Sequence, residues 1–448
     1  MNAPSPQTSV PRMWRSLRWI LVGLESLIAA FLVLLALAAN ITFFREPVSL
    51  LVEFHVLASQ EVSWLNIITV GLLFVISVPL LFLAAWRMQR CSLGHTAIGL
   101  LVLGGILAYL AHDDPTIHHP LALEELSPVF PGAETSYRVL MRYGKNQPAA
   151  KGFKAPRFQN SYPVLSPEPV AKWRETITTH RTELEQHWVA LASERQWWAE
   201  LNSFDRIGDL TPARADAEIL GFTVVRALAQ HGVAIASLQA IDGKGEEAID
   251  TLIPLLRVSR KLQPGSRTLV TTMIAVVIEH ISMQTAVFVL DTTPVSTEAK
   301  VRLRAVLQGG NVEADARHLL AVQYAFQLNT FGQASLGELC DPSGGPRLPA
   351  WRRALLDAVG PFVYNRRATF NRMGDLHFDL QDMAARRQIA QMEPRMKLFQ
   401  KQAVQPTFKN FYGGQLMSSL VPAYDKVTTA LWRNYDERMA LLDRLSRP

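Results

Sequence analysis

The stretch Leu93–Ala111, LGHTAIGLLVLGGILAYLA, decides how this chain is read. It is the third of three N-terminal segments rich enough in apolar residues to be expected as membrane helices, and the remainder of the 448-residue chain follows it with a soluble pattern. At about 1.5 Å per residue, roughly twenty residues cross the hydrocarbon core of a bilayer. Its small residues Gly99, Gly104, Gly105 and Ala108 are of the kind that let membrane helices approach closely. It is also the weakest of the three, because His95 lies inside it and the uninterrupted apolar part is only 97–111. If it crosses, residues 112–448 lie outside the cytoplasm; if it is a buried helix, they stay inside.

Working outward, the first expected span runs from Trp19 through the predominantly apolar run Ile20 to Ala39, behind Arg12, Arg15 and Arg18. Ala36-Leu37-Ala38 offers a signal-peptide cleavage reading of the same run, although its core exceeds the usual length of about 7–15 residues. The second span, 65–86, is bracketed by Trp64 and Trp86 as interfacial aromatics. Arg12, Arg15, Arg18, Arg87 and Arg90 flank one side, whereas the other carries Arg45 against Glu46, Glu53 and Glu61. The positive-inside rule then puts the N-terminus in the cytoplasm and the third exit on the far side. Between the first two spans, Leu50, Leu51, Phe54, Leu57 and Ala58 recur at helical spacing, as in a helix lying on the membrane surface.

Composition agrees with an anchor joined to a large water-soluble part. The chain is 49% hydrophobic with mean hydropathy +0.09, and its formal charge of +6 is interspersed and not gathered into blocks. Nucleic acid is therefore not an expected partner. Cys91 and Cys340 fall on opposite sides of the membrane in this topology, which rules out a disulfide between them in one chain.

The expected organisation is a tail over 1–18, a three-helix membrane anchor over 19–111, an extended neck over 112–169 and a helical domain over 170–448. In the neck, Arg142, Lys145, Lys151, Lys154 and Arg157 form a basic patch near the bilayer, and a short helix is expected at about 133–143. Beyond Ser166-Pro167 the pattern is helical throughout. Val170, Trp173, Ile177, His180, Leu184, His187, Leu191, Trp198 and Leu201 predict one long helix. Helices follow from Thr211-Pro212 to Asp242-Gly243, from 245 to 262 with a kink or restart at Pro254, and, capped by Ser266, from 268 to 290. Ser296 and Asn311 cap two more, 350–361 is a short one, and a charged helix runs to about 402 with an interruption near Pro394. A last amphipathic helix covers 414–445, carrying Leu416, Leu420, Tyr424, Val427, Leu431, Tyr435, Met439 and Leu442. No β-type alternation is present, so the fold class is all-α, built of antiparallel helix hairpins, with a solenoid as one arrangement of them.

Candidate chemistry is sparse. His112-Asp113-Asp114-Pro115-Thr116-Ile117-His118-His119 follows the third segment, and His112, Asp114, His118 and His119 are the right ligand types for zinc, though without an organised motif spacing. Glu25 is the one acid inside a predicted span, and pairing with Arg18 or Arg90 is the plainer reading of it. His180 and His187 sit two turns apart, too far to share one ion through that helix. Glu279 and His280 are adjacent and point about 100° apart, so a buried Glu279 held by an arginine of another helix is expected in place of a dyad. Cys340 has no base beside it in sequence. The phosphate-loop, dinucleotide and nucleophile-elbow motifs are missing from the sequence.

The resulting expectation is a non-enzymatic scaffold or docking protein in the inner membrane of a bacterial envelope, with no cofactor, presenting a periplasmic helical domain. Membrane lipid and envelope proteins are the expected partners, a homo-oligomer being compatible. Trp197 and Trp198 point to different helix faces, which leaves one of them for a partner. The alternative is a membrane-surface metal-dependent hydrolase using the His112 to His119 cluster.

Overall fold

In the computed structural model the described residues are 20, 23, 93–145, 167–190, 192–213, 222–340, 348–403, 410–421 and 424–447. Among them every regular element is a helix and no strand occurs, as the absence of period-two patterning predicts. Two compact units are built, each from several stretches of chain. The first comprises residues 1–117, 334–369 and 403–418; the second comprises 118–333, 370–402 and 419–448.

In the first unit the stretch Leu93–Ala111 is a single helix of 19 residues. It packs against helix Ala350–Val363. Leu103, Leu107 and Leu110 are half-buried along one stripe, whereas Leu101 is 76% exposed and Tyr109 62%. Helix Ala350–Val363 buries Leu356, Val359 and Val363 against Leu336 and Cys340, with Tyr412 at the edge. The short helix Leu336–Leu339 starts with a capping box between Ser335 and Glu338. Residues 341–347 of the predicted 340–349 loop lie outside the described residues.

The second unit has its centre in helices Phe222–Ile241, Gly245–Leu262 and Leu269–Thr292, which pack on one another. Leu269–Thr292 is long and apolar enough to cross a membrane, yet 67% of its apolar window is buried in protein. The sequence expectation of a core helix therefore holds. The turn after Ile241 uses Gly243 at φ +77°, a conformation glycine adopts without a Cβ clash. Around the centre lie helices Thr297–Leu307, Val312–Phe331, Tyr424–Ser446 and the aromatic-rich segment carrying Trp173, Trp197 and Trp198. Asp209 ties one end together: its buried carboxylate accepts from the Thr211 and Arg267 amides and from the Thr271 hydroxyl.

Several expectations need correction. Residues 118–145 are not an extended neck. Leu123, Val139 and Leu140 are buried, and helix Ala133–Lys145 packs against Phe222–Ile241, because its apolar face is as strong as that of any core helix. The single helix expected over 170–201 is three: Pro167–Thr179, Arg181–Ala190 and Ala192–Ser203. Just before the first break, Thr176, Thr178 and Thr179 all donate to carbonyls four residues back, a pattern that bends helices. Trp198 is not left for a partner: both indoles are buried edge to face, and Trp197 donates to the Val139 carbonyl.

Other boundaries shift for identifiable reasons. Thr268, and not Ser266, is the N-cap of Leu269–Thr292, accepting from the Thr271 amide. Pro254 neither breaks nor restarts its helix. The interruption expected near Pro394 occurs at Arg387, whose φ of 58° is left-handed and whose guanidinium pairs with Asp436 and covers Trp432. The last amphipathic run is two helices, Phe411–Leu420 and Tyr424–Ser446, the first ending just ahead of Val421-Pro422.

Candidate functional site

The residues expected to carry function divide between the two units, and each part is built separately. In the first unit the end of the apolar helix is fastened by polar side chains. Asn365, almost fully buried, donates its side-chain amide to the Leu110 carbonyl at 3.1 Å. Leu110 is in the last turn of its helix, so the bond satisfies a carbonyl that has no partner within the helix. Asp113 then acts as a surrogate cap for helix Arg366–Ala385: its carboxylate accepts from the Arg367 and Ala368 amides at 3.0 and 2.9 Å. The Arg367 guanidinium reaches back to the Asp114 and Pro115 carbonyls. Asn410, at φ 57°, supports this junction by accepting from the Asn365 amide and by bonding Thr369.

Of the predicted ligands in this unit, His112 is exposed, and Asp114 contributes main-chain bonds, its amide donating to Asp113. Asp114 serves attachment through its main chain. Asp113, which the sequence groups with them, has the capping role, serving amides 254 and 255 residues away that no local pattern signals. Asn365 is likewise not singled out by sequence reasoning, since its side-chain amide serves Leu110, 255 residues away.

In the second unit His118 donates its main-chain amide to Asn371, and His119 faces Asp375 at 2.9 Å while stacking on Phe378 at 4.2 Å between ring centres. Gly374 lies beneath: a Cβ there would touch the Tyr324 hydroxyl and His119 at under 3 Å. A shallow cavity of about 550 Å³ adjoins Phe378, lined by Arg317, Asp379, Asp382 and Arg386 among others. Its charges are already committed, Arg317 and Arg386 to Asp382 and Arg395 to Asp379. Among the described residues no group of three or more His, Cys, Asp or Glu side chains is placed to hold a metal ion.

Glu279 and His280 diverge as their spacing requires. Glu279 is buried with Arg438 at 3.6 Å, from helix Tyr424–Ser446, whereas His280 meets Glu437 at 2.7 Å. Arg260 and Asp315 complete the cluster with Glu279 and Arg438. Burial pushes the Glu279 and Asp315 carboxyls up, opposed by the two arginines, and burial beside Arg438 lowers Arg260. Arg260 donates to the Val306 and Gly309 carbonyls, closing the end of helix Thr297–Leu307. The buried Glu279–Arg438 pair, with the half-buried Arg260 and Asp315 near it, holds helices in register; no nucleophile is placed among them.

A second buried network centres on His377. Its Nδ1 is 2.8 Å from the Met373 carbonyl, which can only accept, so Nδ1 carries the proton and Nε2 accepts from the Tyr424 hydroxyl at 2.8 Å. Burial lowers this imidazole to about 4, and it raises the Tyr424 and Tyr324 phenols. His180 bonds the Thr176 carbonyl, and Cys340 is buried beside Tyr412. Glu25, Cys91, Lys151, Lys154 and Arg157 lie outside the described residues, while Arg142 of the basic patch is paired with Glu200.

By its fold and these sites the chain is an all-helical protein with an apolar, outward-facing helix fastened to a polar-bonded junction. Comparison with family models, with curated proteins and with solved structures gives no match.

Proposed function

We propose that the protein is a non-enzymatic, membrane-anchored scaffold of a bacterial envelope, with residues 112–448 as an extracytoplasmic helical domain that receives partner proteins. The observation that carries the anchoring is the contrast between the two most apolar of the described helices. Leu269–Thr292 turns its side chains into protein, whereas Leu93–Ala111 presents Ile98, Leu101, Val102, Ile106 and Tyr109 outward. Five large apolar side chains in water on one helix would be costly, at about 25 cal/mol per Å² of apolar surface, and lipid removes that cost. The charge asymmetry of the earlier loops supports the direction of crossing.

The scaffold part of the proposal draws on the interior. The buried clusters around Glu279 and His377 engage their charged and polar groups in holding helices, and the His119–Asp375 pair is a two-residue contact. Such an interior makes a rigid surface with many helix faces, suited to docking. Reporter fusions after Asp114 and after Pro448 test the placement: active periplasmic reporters at both points are expected, and cytoplasmic-type signals at both would overturn it. Crosslinking in native membranes followed by purification of the full chain is expected to recover defined protein partners, other copies of this chain among them.

A further inference from the structure

Helix Ala350–Val363 is built the wrong way round for a surface helix in water. Trp351, Leu355, Ala358 and Phe362 recur at steps of four, three and four, which places them on one stripe. The stripe faces outward at Trp351, 64% exposed, Leu355, 38%, and Ala358, while Phe362 at its end is half-buried and packs on the core beside Val359 and Val363. Charged residues at the edge of the helix fix its roll by bonding the neighbouring short helix. Arg353 bonds Glu338 at 3.0 Å, and Asp357 accepts from the Gly337 amide at 2.9 Å. Gly337 permits this approach, since a Cβ there would sit 2.7 Å from both side chains. The helix is thereby fixed with its apolar stripe out, and Leu356, Val359 and Val363 hold its other face on the core.

We infer that this helix lies in the membrane interface, with Trp351, Leu355 and Ala358 inserted among lipid headgroups and upper acyl chains. The inference rests on the reading of Leu93–Ala111 as a membrane helix and adds a second, in-plane contact to it. Three observations select lipid as the occupant. The helix packs directly against Leu93–Ala111, and Asn365, two residues past its end, is bonded to Leu110 where that helix stops, so the stripe belongs to the same unit as the outward apolar helix and is tied to its end. Trp351 is stacked by the Arg352 guanidinium at 5.2 Å, pairing an interfacial aromatic with a cation that reaches phosphate. Arg352 is exposed beside Trp351 and placed to meet an anionic headgroup, whereas Arg353 is engaged by Glu338.

The consequence is that the first unit is held to the membrane by two contacts at different angles. The test uses the full chain with Cys91→Ser and Cys340→Ala, reconstituted in phosphatidylethanolamine and phosphatidylglycerol vesicles. A nitroxide is attached at Leu355→Cys in one sample and at Val102→Cys in another, and collision with oxygen and with a water-soluble nickel chelate is measured for each. Both labels are expected to collide strongly with oxygen, with the chelate reaching position 355 several-fold less than a label in water and more than position 102. If position 355 is open to the chelate while 102 is shielded, the interfacial helix is wrong and the anchor stands. If 355 is closed to both reagents, protein covers the stripe and the inference again fails. If 102 is open to the chelate, the anchor reading itself fails and takes this inference with it.

Discussion

Asn365 and Leu110 are 255 residues apart in the chain, and a 3.1 Å bond joins the side-chain amide of one to the main-chain carbonyl of the other. The bond closes the last turn of the outward-facing apolar helix with a residue from the far end of the same unit. Asp113 repeats the logic in reverse by supplying the acceptor for the first amides of helix Arg366–Ala385. Each helix end thus completes the other, and the exit of Leu93–Ala111 is defined by side chains and not by a loose linker.

Asp113→Ala should expose that dependence. Removing a capping carboxylate costs typically about 0.5–2 kcal/mol, so the variant is expected to lose stability on the order of 1 kcal/mol and to melt at a lower temperature, with Asp113→Asn restoring most of the loss. Circular dichroism melting in mild detergent measures both. Equal melting of the alanine variant and the parent would remove the capping role.

The buried pair of Glu279 and Arg438 predicts a larger effect. Both side chains are under one-tenth exposed and 3.6 Å apart, so Arg438→Met leaves a carboxylate without its main partner. A loss of about 3–5 kcal/mol is expected for breaking such a pair from one side, and combining it with Glu279→Met should recover most of the loss. Urea titration of the two single variants and the double variant decides this, since only a true pair gives a double variant more stable than Arg438→Met alone.

These residues also mark how far the sequence can be read. The core placement of Leu269–Thr292 was legible because Glu279 and His280 interrupt its apolar run, and the caps at Ser296 and Asn311 were legible because capping is local. The inner face of Tyr424–Ser446 is legible in part: Tyr424, Val427 and Leu431 of the expected stripe are buried, whereas Met439 is exposed and the polar Asn434 and Arg438 are buried in its place. The Asn365–Leu110 junction and the packing of 118–145 depend on partners far along the chain, which periodicity cannot supply. Trp198 shows the same limit, since its partners include its own neighbour Trp197 turned edge to face. The ligand types in 112–119 were readable, but their use in attachment came only with Arg367, Asn371 and Asp375.

Gly265 is expected to tolerate no side chain. A Cβ there would collide with the main-chain carbonyl of Ile207, and both segments are pinned by the Asp209 bonds, so the backbone cannot yield cheaply. Gly265→Ala should therefore cost more than about 2 kcal/mol, in the upper part of the range for single substitutions. A Gly265→Ala variant that melts with the parent would contradict the packing at Ile207.

Stability should also fall on mild acidification, with His377 as a cause. Its ordinary imidazole value of 6.5 is lowered to about 4 by burial, with the Met373 carbonyl pulling weakly the other way. The unfolded chain then binds a proton between those two values that the folded chain refuses. Stability is therefore complete above about 6.5 and declines as pH falls towards about 4, each pKa unit being worth about 1.36 kcal/mol. The whole window amounts to an effect on the order of 3 kcal/mol. His377→Gln keeps an acceptor for the Tyr424 hydroxyl and carries no titrating group, so its denaturation midpoint should change less over that window even if it starts lower. Urea midpoints at a series of pH values between 4 and 7 measure the difference, with the values given by the imidazole limits. A variant whose pH dependence parallels the parent would show that the proton is taken up elsewhere.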